Sequence, residues 1–338
     1  MHDGKLTPMD YRSLLEVRWR QRSETPEALP WAVTVFAGSE GDRIEGCLRS
    51  LDAGLGPRAP HWTVVVNGAR DDTAARARRV VSELGWSSAE IAEIAWGDKA
   101  NAWNQYVYGL RRPARWHLFV DGYLALSPDG LAQMASRLEA ATGYRAATGV
   151  PNGENPGSRH MRHFVRTHGG ILGGLHALRG DLLAEVVERR LLIPWGLYRG
   201  DGLIGSFACH DLDPIRNPWD RDRVLVCDEA RWYGRRTNPL SLGDWRRHAR
   251  RMVRQAQGRM ENRAIRSVIF EAGYEGLPAS APELMAIARR LGPADNERGP
   301  GRRTLRELAW REAARKALPE LDQVVPARVD GPGGSPGV

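Results

Sequence analysis

Val64-Val65-Val66-Asn67-Gly68-Ala69-Arg70-Asp71-Asp72-Thr73 is a short apolar run that ends abruptly in polar and glycine residues. The same form recurs on either side, in Val33-Thr34-Val35-Phe36-Ala37-Gly38-Ser39-Glu40 and in Leu118-Phe119-Val120-Asp121-Gly122. Unbroken apolar runs of this length read as strands buried on both faces of an α/β sheet. The segments between them read as helices, so the order is β-α-β-α-β. The polar tips then lie at the carboxyl edge of the sheet, where open α/β sheets bind ligands.

The chain has 338 residues, enough for one large domain and an appendage. With 42% hydrophobic and 27% charged residues its composition is that of a soluble globular protein, and no stretch is long and apolar enough to span a bilayer. Met1-His2-Asp3-Gly4-Lys5 lacks the apolar core of a secretion signal. Cys47, Cys209 and Cys227 are odd in number, widely spaced and without a Cys-x-x-Cys pair, which suits a reducing cytoplasm. Forty-nine basic against 41 acidic residues leave a net charge of +8, most of the basic excess being arginine. Such a balance admits phosphate-bearing ligands, anionic membranes and nucleic acid as partners.

Composition divides the chain into residues 1–28, a basic lead with a short helix around Tyr11 to Arg20; 29–236, the α/β domain; 237–322, a helical region; and 323–338, a tail expected to be disordered. The tail's Asp330-Gly331-Pro332-Gly333-Gly334-Ser335-Pro336 is too rich in glycine and proline to pack. From Leu242 to Tyr274, Val253, Ala256, Met260, Ala264 and Val268 form one apolar stripe at helical spacing. Arg246, Arg247, Arg250, Arg251, Arg254, Arg259, Arg263 and Arg266 crowd the rest of that helix. Further helices are expected over Pro282 to Leu291 and Thr304 to Leu318.

The chain resembles the nucleotide-sugar-binding half of family 2 glycosyltransferases, which have the GT-A fold. The resemblance rests on the first-strand loop ending at Glu40, on Cys47-Leu48-Arg49-Ser50-Leu51, and on Val66-Asn67-Gly68-Ala69-Arg70-Asp71-Asp72-Thr73. It continues through Asp98-Lys99-Ala100-Asn101-Ala102-Trp103-Asn104, Asp121-Gly122-Tyr123, Gly173-Gly174-Leu175-His176-Ala177-Leu178-Arg179-Gly180 and Arg199-Gly200-Asp201-Gly202-Leu203. It covers Trp31 to Phe207 and implies a mostly parallel sheet flanked by helices, with the helical region as an appendage. It also implies transfer of a sugar from a nucleoside-diphosphate sugar to a hydroxyl acceptor, with inversion at the anomeric carbon.

Under that resemblance Glu40, Asn67, Asp71, Lys99, Asn104 and Asp121 bind the donor. Glu40 can accept from ribose hydroxyls or a base N–H, or simply be a charge favoured at a helix start. Asn67 offers donor and acceptor to a pyrimidine edge, or forms the turn that Asn-Gly favours. Asp71 and Asp72 also suit a helix cap. Lys99 could meet the diphosphate or organise the carboxylates, and Asn104 would share its helix face. Asp121, at the strand tip, would take a ribose hydroxyl or a Mg²⁺ or Mn²⁺ ion. The family's second metal-binding carboxylate is Tyr123 here, which leaves metal dependence open. Arginines could neutralise the leaving group instead, and Arg159, Arg162, Arg166 and Arg179 are candidates.

Asp201 is the expected general base, a carboxylate in a glycine-flanked loop that a substrate hydroxyl can approach. Its alternative is a helix N-cap, and the family's preceding Glu is Gly200 here. Gly173 and Gly174 would let backbone approach the acceptor. Trp195 and Tyr198 would stack on a sugar ring or pack in the core. His160, His163, His168 and His176 cluster in sequence, and His210 follows the Asp201 segment; ordinary loop or surface positions suit them as well as metal ligation. The expected acceptor is a saccharide, a lipid-linked molecule or a small metabolite; the expected location is the cytoplasm, where the arginine helix could dock on the anionic inner face of the membrane. Departures at Tyr123 and Gly200 motivate an alternative, a degenerate domain that binds nucleotide or a partner without turnover. A nucleotidyltransferase is disfavoured by the lack of a glycine-rich loop with a following Arg and Lys near the first strand. Nucleic-acid binding is disfavoured by the lack of base-stacking aromatics among the arginines.

Overall fold

The computed structural model describes residues 7–21, 29–55, 58, 61–234, 242–294, 299–314, 316 and 320–331. The strands are β1 (Leu29–Ala37), β2 (His61–Asn67), β3 (Ala89–Ile94), β4 (Ala114–Asp121), β5 (Ala125–Leu126), β6 (Ala146–Pro151), β7 (Leu175–Arg179), β8 (Val224–Tyr233) and β9 (Pro326–Asp330). Among the described residues they form one nine-stranded sheet in the order β5-β8-β6-β7-β4-β1-β2-β3-β9. The strands read from the sequence, β1, β2 and β4, are parallel neighbours, with β3 parallel outside β2. β7 runs antiparallel to β4 and to β6, while β6 and β8 are parallel.

The helices are α1 (Pro8–Gln21), α2 (Ile44–Leu55), α3 (Thr73–Glu83), α4 (Lys99–Gln105, continued by a π-helical turn Tyr106–Leu110), α5 (Pro128–Ala140), α6 (Pro156–His168), α7 (Gly180–Glu188), α8 (Gly200–Cys209), α9 (Leu242–Ala272), α10 (Ala281–Arg290), α11 (Pro300–Ala314) and α12 (Leu321–Val324). Successive strand residues point to opposite faces, and the apolar runs fill both. Val35, Val64, Val66, Leu118 and Val120 pack under α2, α3 and α5. Phe36, Val65 and Phe119 face the other way, into a core shared with α4, α7 and α8. Asp121 follows Val120 and so turns toward that second layer.

The helical region joins this second core. Ala256, Met260 and Ala264 of the apolar stripe are buried, and Val253 and Val268 are half-buried. Met260, Ala264, Leu284, Met285 and Ala313 belong to the same cluster as Trp195 and Phe207. α11 starts at Pro300, a residue suited to a first helical turn, rather than at Thr304; Leu318 lies outside the described residues.

The tail departs from the expectation of disorder. Residues 321–324 form α12, and β9 pairs antiparallel with β3, Ala92 opposite Val329 and Glu93 opposite Arg328. Arg78 clamps the pairing, with Nε on Asp330 at 2.6 Å and the guanidinium also on Glu93. The glycines and prolines that argued for disorder begin after Asp330, and residues 332–338, like 22–28 of the lead, lie outside the described residues. No helix among the described residues is long and apolar enough to cross a membrane.

Candidate functional site

Parallel pairing brings the tips of β1, β2 and β4 to one edge. Asp121 stands beside Phe36, and Asn67 lies one residue beyond the Ala37–Val66 pair. Because β7 is antiparallel to β4, with Leu175 opposite Val120, Gly173 and Gly174 enter the sheet where Asp121 leaves it. The Asp121 N–H donates to the Gly174 carbonyl at 3.0 Å and the Gly122 N–H to the Phe36 carbonyl at 2.8 Å. Gly122 is needed there, since an added Cβ would sit 2.9 Å from the Ala37 Cβ.

Four predicted residues meet at this edge. Lys99, at the start of α4, forms an ion pair with Asp121 and donates to the Gly173 carbonyl at 3.2 Å. The Gly173 N–H in turn donates to Asp201 Oδ2 at 3.2 Å. Asp201 lies in the first turn of α8, but the N-cap position is Arg199, with no side-chain cap. The carboxylate reaches across to the β7 loop instead, so capping does not account for it. A Cβ on Gly173 would stand 3.1 Å from Asp201 Oδ2, which favours glycine at this contact.

The Asp121 side chain is 14% exposed. Burial pushes its carboxyl above the usual range; the Lys99 charge and hydrogen bond and a hydrogen bond from the Tyr123 hydroxyl oppose this, and Asp201 adds to the rise. Burial and then the Asp121 charge push the Tyr123 hydroxyl up in turn, with Arg251 of α9 acting against them. An ammonium and a protonated phenol thus both attend Asp121.

The β1 and β2 tips carry a second, more acidic group. Burial first, then Asp121 and Asp42, push Glu40 up to about 7, against Arg43. The Asp71 carboxylate accepts from the Gly41 and Thr73 N–H groups, each at 3.1 Å, and from the Thr73 hydroxyl. Those hydrogen bonds outweigh desolvation and hold Asp71 below the usual range. The Thr73 hydroxyl accepts from the Glu40 N–H at 2.8 Å, and Asn67 Nδ2 donates to the Ala37 carbonyl at 3.0 Å. Asp71 and Asn67 therefore lock two strand-end loops together at the edge where they were expected. Gly68 closes this junction: its φ is +61°, and a side chain there would run into Gly97.

Other expected residues lie elsewhere. Asn104 is fully buried: Nδ2 donates to the Tyr11 hydroxyl at 3.0 Å and the Ile193 carbonyl at 2.8 Å, and Oδ1 accepts from the Ile193 N–H at 3.0 Å. It splints α4 to α1 and the segment before α8, and so is not a donor contact. Trp195 is 4% exposed and packs edge-on against Trp96 at 5.8 Å, while its backbone pairs with Ala279 and Ala281; it is core, not an acceptor platform. Tyr198 is half-buried, and its N–H donates to Glu261 at 3.1 Å.

The candidate arginines are committed or distant. Arg162 donates to the Pro151 and Gly153 carbonyls, Arg166 grips Asp228, and Arg159 is exposed on α6. Arg179 pairs with Asp181 beside Trp116, toward the opposite end of β4. The histidines do not cluster: His160, His163 and His168 are exposed on α6, His176 is buried against Phe119, and His210 is buried at the far end of α8.

Sequence reasoning missed the support of this edge. Asp98 Oδ1 accepts from the Asn101 N–H at 2.9 Å, capping α4, and Oδ2 accepts from the Gly196 N–H at 2.6 Å. Lys316 Nζ donates to the Gly196 carbonyl at 2.7 Å, and Gln257 Nε2 donates to Glu261 Oε1 at 2.5 Å. Gln257 and Glu261 are 1% and 0% exposed. Their signal was a polar pair four residues apart, interrupting an apolar stripe.

No family model and no curated protein matches this sequence. Among solved structures, a mannosyltransferase of Pyrobaculum calidifontis, in complex with GDP-mannose and Mn²⁺, is similar at TM-score 0.52 and 17% identity, over 91% of this chain and 94% of that one. TarS of Staphylococcus aureus, residues 1–349, is similar at 0.48 and 14%, over 77% of this chain and 70% of that one. Glucosyl-3-phosphoglycerate synthase of Mycobacterium tuberculosis, with UDP, is similar at 0.46 and 15%, over 77% and 84%. The chain has the GT-A fold of glycosyltransferases.

The edge does not fit a resident divalent cation. Among the described residues no three His, Cys, Asp or Glu side chains form a metal-holding group. Asp121 already has Lys99 as its partner and Tyr123 stands where a second carboxylate would be, so the protein's own oxygens are too few to hold Mg²⁺ or Mn²⁺ by themselves.

Asn104→Ala leaves buried partners unsatisfied and should lower unfolding free energy by about 1–3 kcal/mol in urea titration, with nucleotide affinity unchanged; lost affinity in a fully folded variant would contradict the structural role. A carboxyl raised to about 7 contributes stability in its protonated form, fully present below its ordinary value of 4.5 and lost as pH rises through 7. Glu40→Gln removes that dependence, so its melting temperature should gain on the wild type between about pH 5 and pH 8. A pH-independent difference would refute the shift.

Proposed function

We propose that this chain is an inverting glycosyltransferase, similar to family 2 enzymes, that uses a nucleoside-diphosphate sugar and a hydroxyl acceptor. The observation that supports it most is the contact series Asp121–Lys99–Gly173–Asp201 at the carboxyl edge. It sets a cation-bearing pair and an independent carboxylate side by side, as a displacement requires. Asp201 takes the proton of the acceptor hydroxyl. The hydroxyl oxygen bonds to the anomeric carbon, the bond from that carbon to the diphosphate oxygen breaks, and its electron pair leaves with the nucleoside diphosphate. Lys99 meets the charge that develops there. Glu40 and the loops locked by Asn67 and Asp71 hold the nucleoside, a uridine or guanosine diphosphate; the mannosyltransferase of similar fold holds GDP-mannose. Gly173, Gly174 and Tyr198 line the acceptor approach. No step is assigned to a metal.

Asp201→Asn should lower release of nucleoside diphosphate from a panel of sugar nucleotides about 10²–10⁴-fold while leaving nucleotide binding intact. Unchanged turnover would remove Asp201 from the base role. The second reading, nucleotide binding without turnover, draws on Tyr123 and Gly200 standing in place of carboxylates. It predicts calorimetric binding with no release from any donor by the wild type.

The arginine helix offers a membrane contact. Arg250, Arg251, Arg254, Arg259 and Arg266 are exposed on α9, while Arg246 and Arg247 lie outside the described side chains. Of these Arg254 also pairs with Glu312 at 3.9 Å, and Arg263 donates to the Ala288 carbonyl at 3.2 Å. A lipid-linked acceptor would be met if this face docks on anionic lipid. Co-sedimentation with phosphatidylserine-containing vesicles should fall with added salt; equal recovery with neutral vesicles counts against docking.

A further inference from the structure

The edge that would receive the diphosphate carries a fixed cation of its own. Lys99 Nζ is held by the Asp121 carboxylate on one side and the Gly173 carbonyl on the other, and its side chain remains 49% exposed. An ammonium has three N–H donors. Two are engaged here, and the third is left for a ligand oxygen. Its anchoring atoms are rigid: Asp121 ends a central strand, Gly173 leads into β7, and Asp98 caps the helix that Lys99 opens.

Tyr123 completes the arrangement. Its hydroxyl is held in the protonated form by burial and by the charge of Asp121 beside it. Asp121 therefore has an ammonium in contact with it and a neutral hydroxyl, not a second carboxylate, two residues on. A further positive charge lies on α9, where Arg251 acts on Tyr123. Arg251 lies seven residues, about two turns, before Gly258, and Gly258 packs against Arg199, two residues before Asp201. The face of α9 that touches the Asp201 segment thus carries Arg251.

We propose that Lys99, anchored on Asp121 and Gly173 and with Tyr123 in place of a second carboxylate, serves as the built-in counter-ion of the diphosphate, so that this chain binds its nucleotide without a divalent metal. The inference rests on the transferase reading for the identity of the ligand. Lysine acts on a phosphate as a point charge, and removing it leaves Asp121 as an uncompensated negative charge facing the ligand.

The test is isothermal titration of the full chain with UDP and with GDP, in EDTA and in MnCl₂. The wild type should bind one nucleotide with the same affinity in both buffers. Lys99→Ala should weaken binding in EDTA by about 10–100-fold, the equivalent of a charged hydrogen bond, and Lys99→Arg should recover part of it. Lys99→Ala combined with Tyr123→Asp converts the donor set to two free carboxylates and should bind better in MnCl₂ than in EDTA. Wild-type binding that is tight only in MnCl₂, or Lys99→Ala binding equal to wild type in EDTA, overturns the inference and leaves the transferase reading standing. Failure of the wild type to bind either nucleotide in either buffer overturns the transferase reading, and this inference with it.

Discussion

Asp98 ties the two halves of the site together. Asp98 is half-buried, and desolvation pushes its carboxyl up against hydrogen bonds from the Asn101 and Gly196 N–H groups and the charge of Lys316. A buried carboxylate lacking such partners would cost several kcal/mol, so the loops supplying them are held to it. One partner is the first turn of α4, which starts with Lys99. The other is the segment that reaches Asp201 five residues later. Asp98 thus helps set the spacing between the Lys99 ammonium and the carboxylate proposed as base, beside the Gly173 contacts that bridge the two.

The helical region extends the same grip. Lys316 takes the Gly196 carbonyl, and Glu261 accepts the Tyr198 N–H while being held by Gln257. Burial raises the Glu261 carboxyl, with Gln257, Tyr198 and the charges of Lys316 and Arg199 opposing. An appendage that only covered apolar surface would need no buried carboxylate. This one uses it to fix the backbone just before α8, so α9 belongs to the site's support. β9 adds to this continuity by returning the chain to the far edge of the sheet.

The strands and the carboxyl edge were legible because unbroken apolar runs have few other solutions and because Asp121 ends one of them. Asp201 was legible as a carboxylate between glycines, although only the structure separates its contact with Gly173 from an N-cap. Asn104 and Trp195 misled for one reason: sequence gives a residue's chemistry and helix face but not which layer that face meets. α4 turns Asn104 into the protein, where the amide satisfies the Ile193 backbone and the Tyr11 hydroxyl. The arginines of α6 pose the same problem, since their carbonyl and carboxylate partners lie at the end of β6 and in β8. β9 was hidden by composition averaged over a window. Pro326–Asp330 can pair, and the glycines beyond it diluted the signal.

The charges at the edge are unevenly divided. Glu40, Asp42 and Asp71 sit at the β1 and β2 tips with Arg43, and their mutual repulsion contributes to raising Glu40 to about 7. On the β4 side Asp121 is matched by Lys99 and approached, through Tyr123, by Arg251. A bare phosphate brought to the first half would meet repulsion; brought to the second it would meet an ammonium already oriented. A nucleoside diphosphate has the complementary division, with neutral ribose hydroxyls that donate to carboxylates and a diphosphate that seeks cations. Under the proposed transferase reading the edge would select an orientation as well as a ligand, with the nucleoside over β1 and β2 and the diphosphate toward Lys99. The sugar carbon bonded to that diphosphate then falls on the side where Asp201 contacts Gly173, which is the side from which an acceptor hydroxyl has to come.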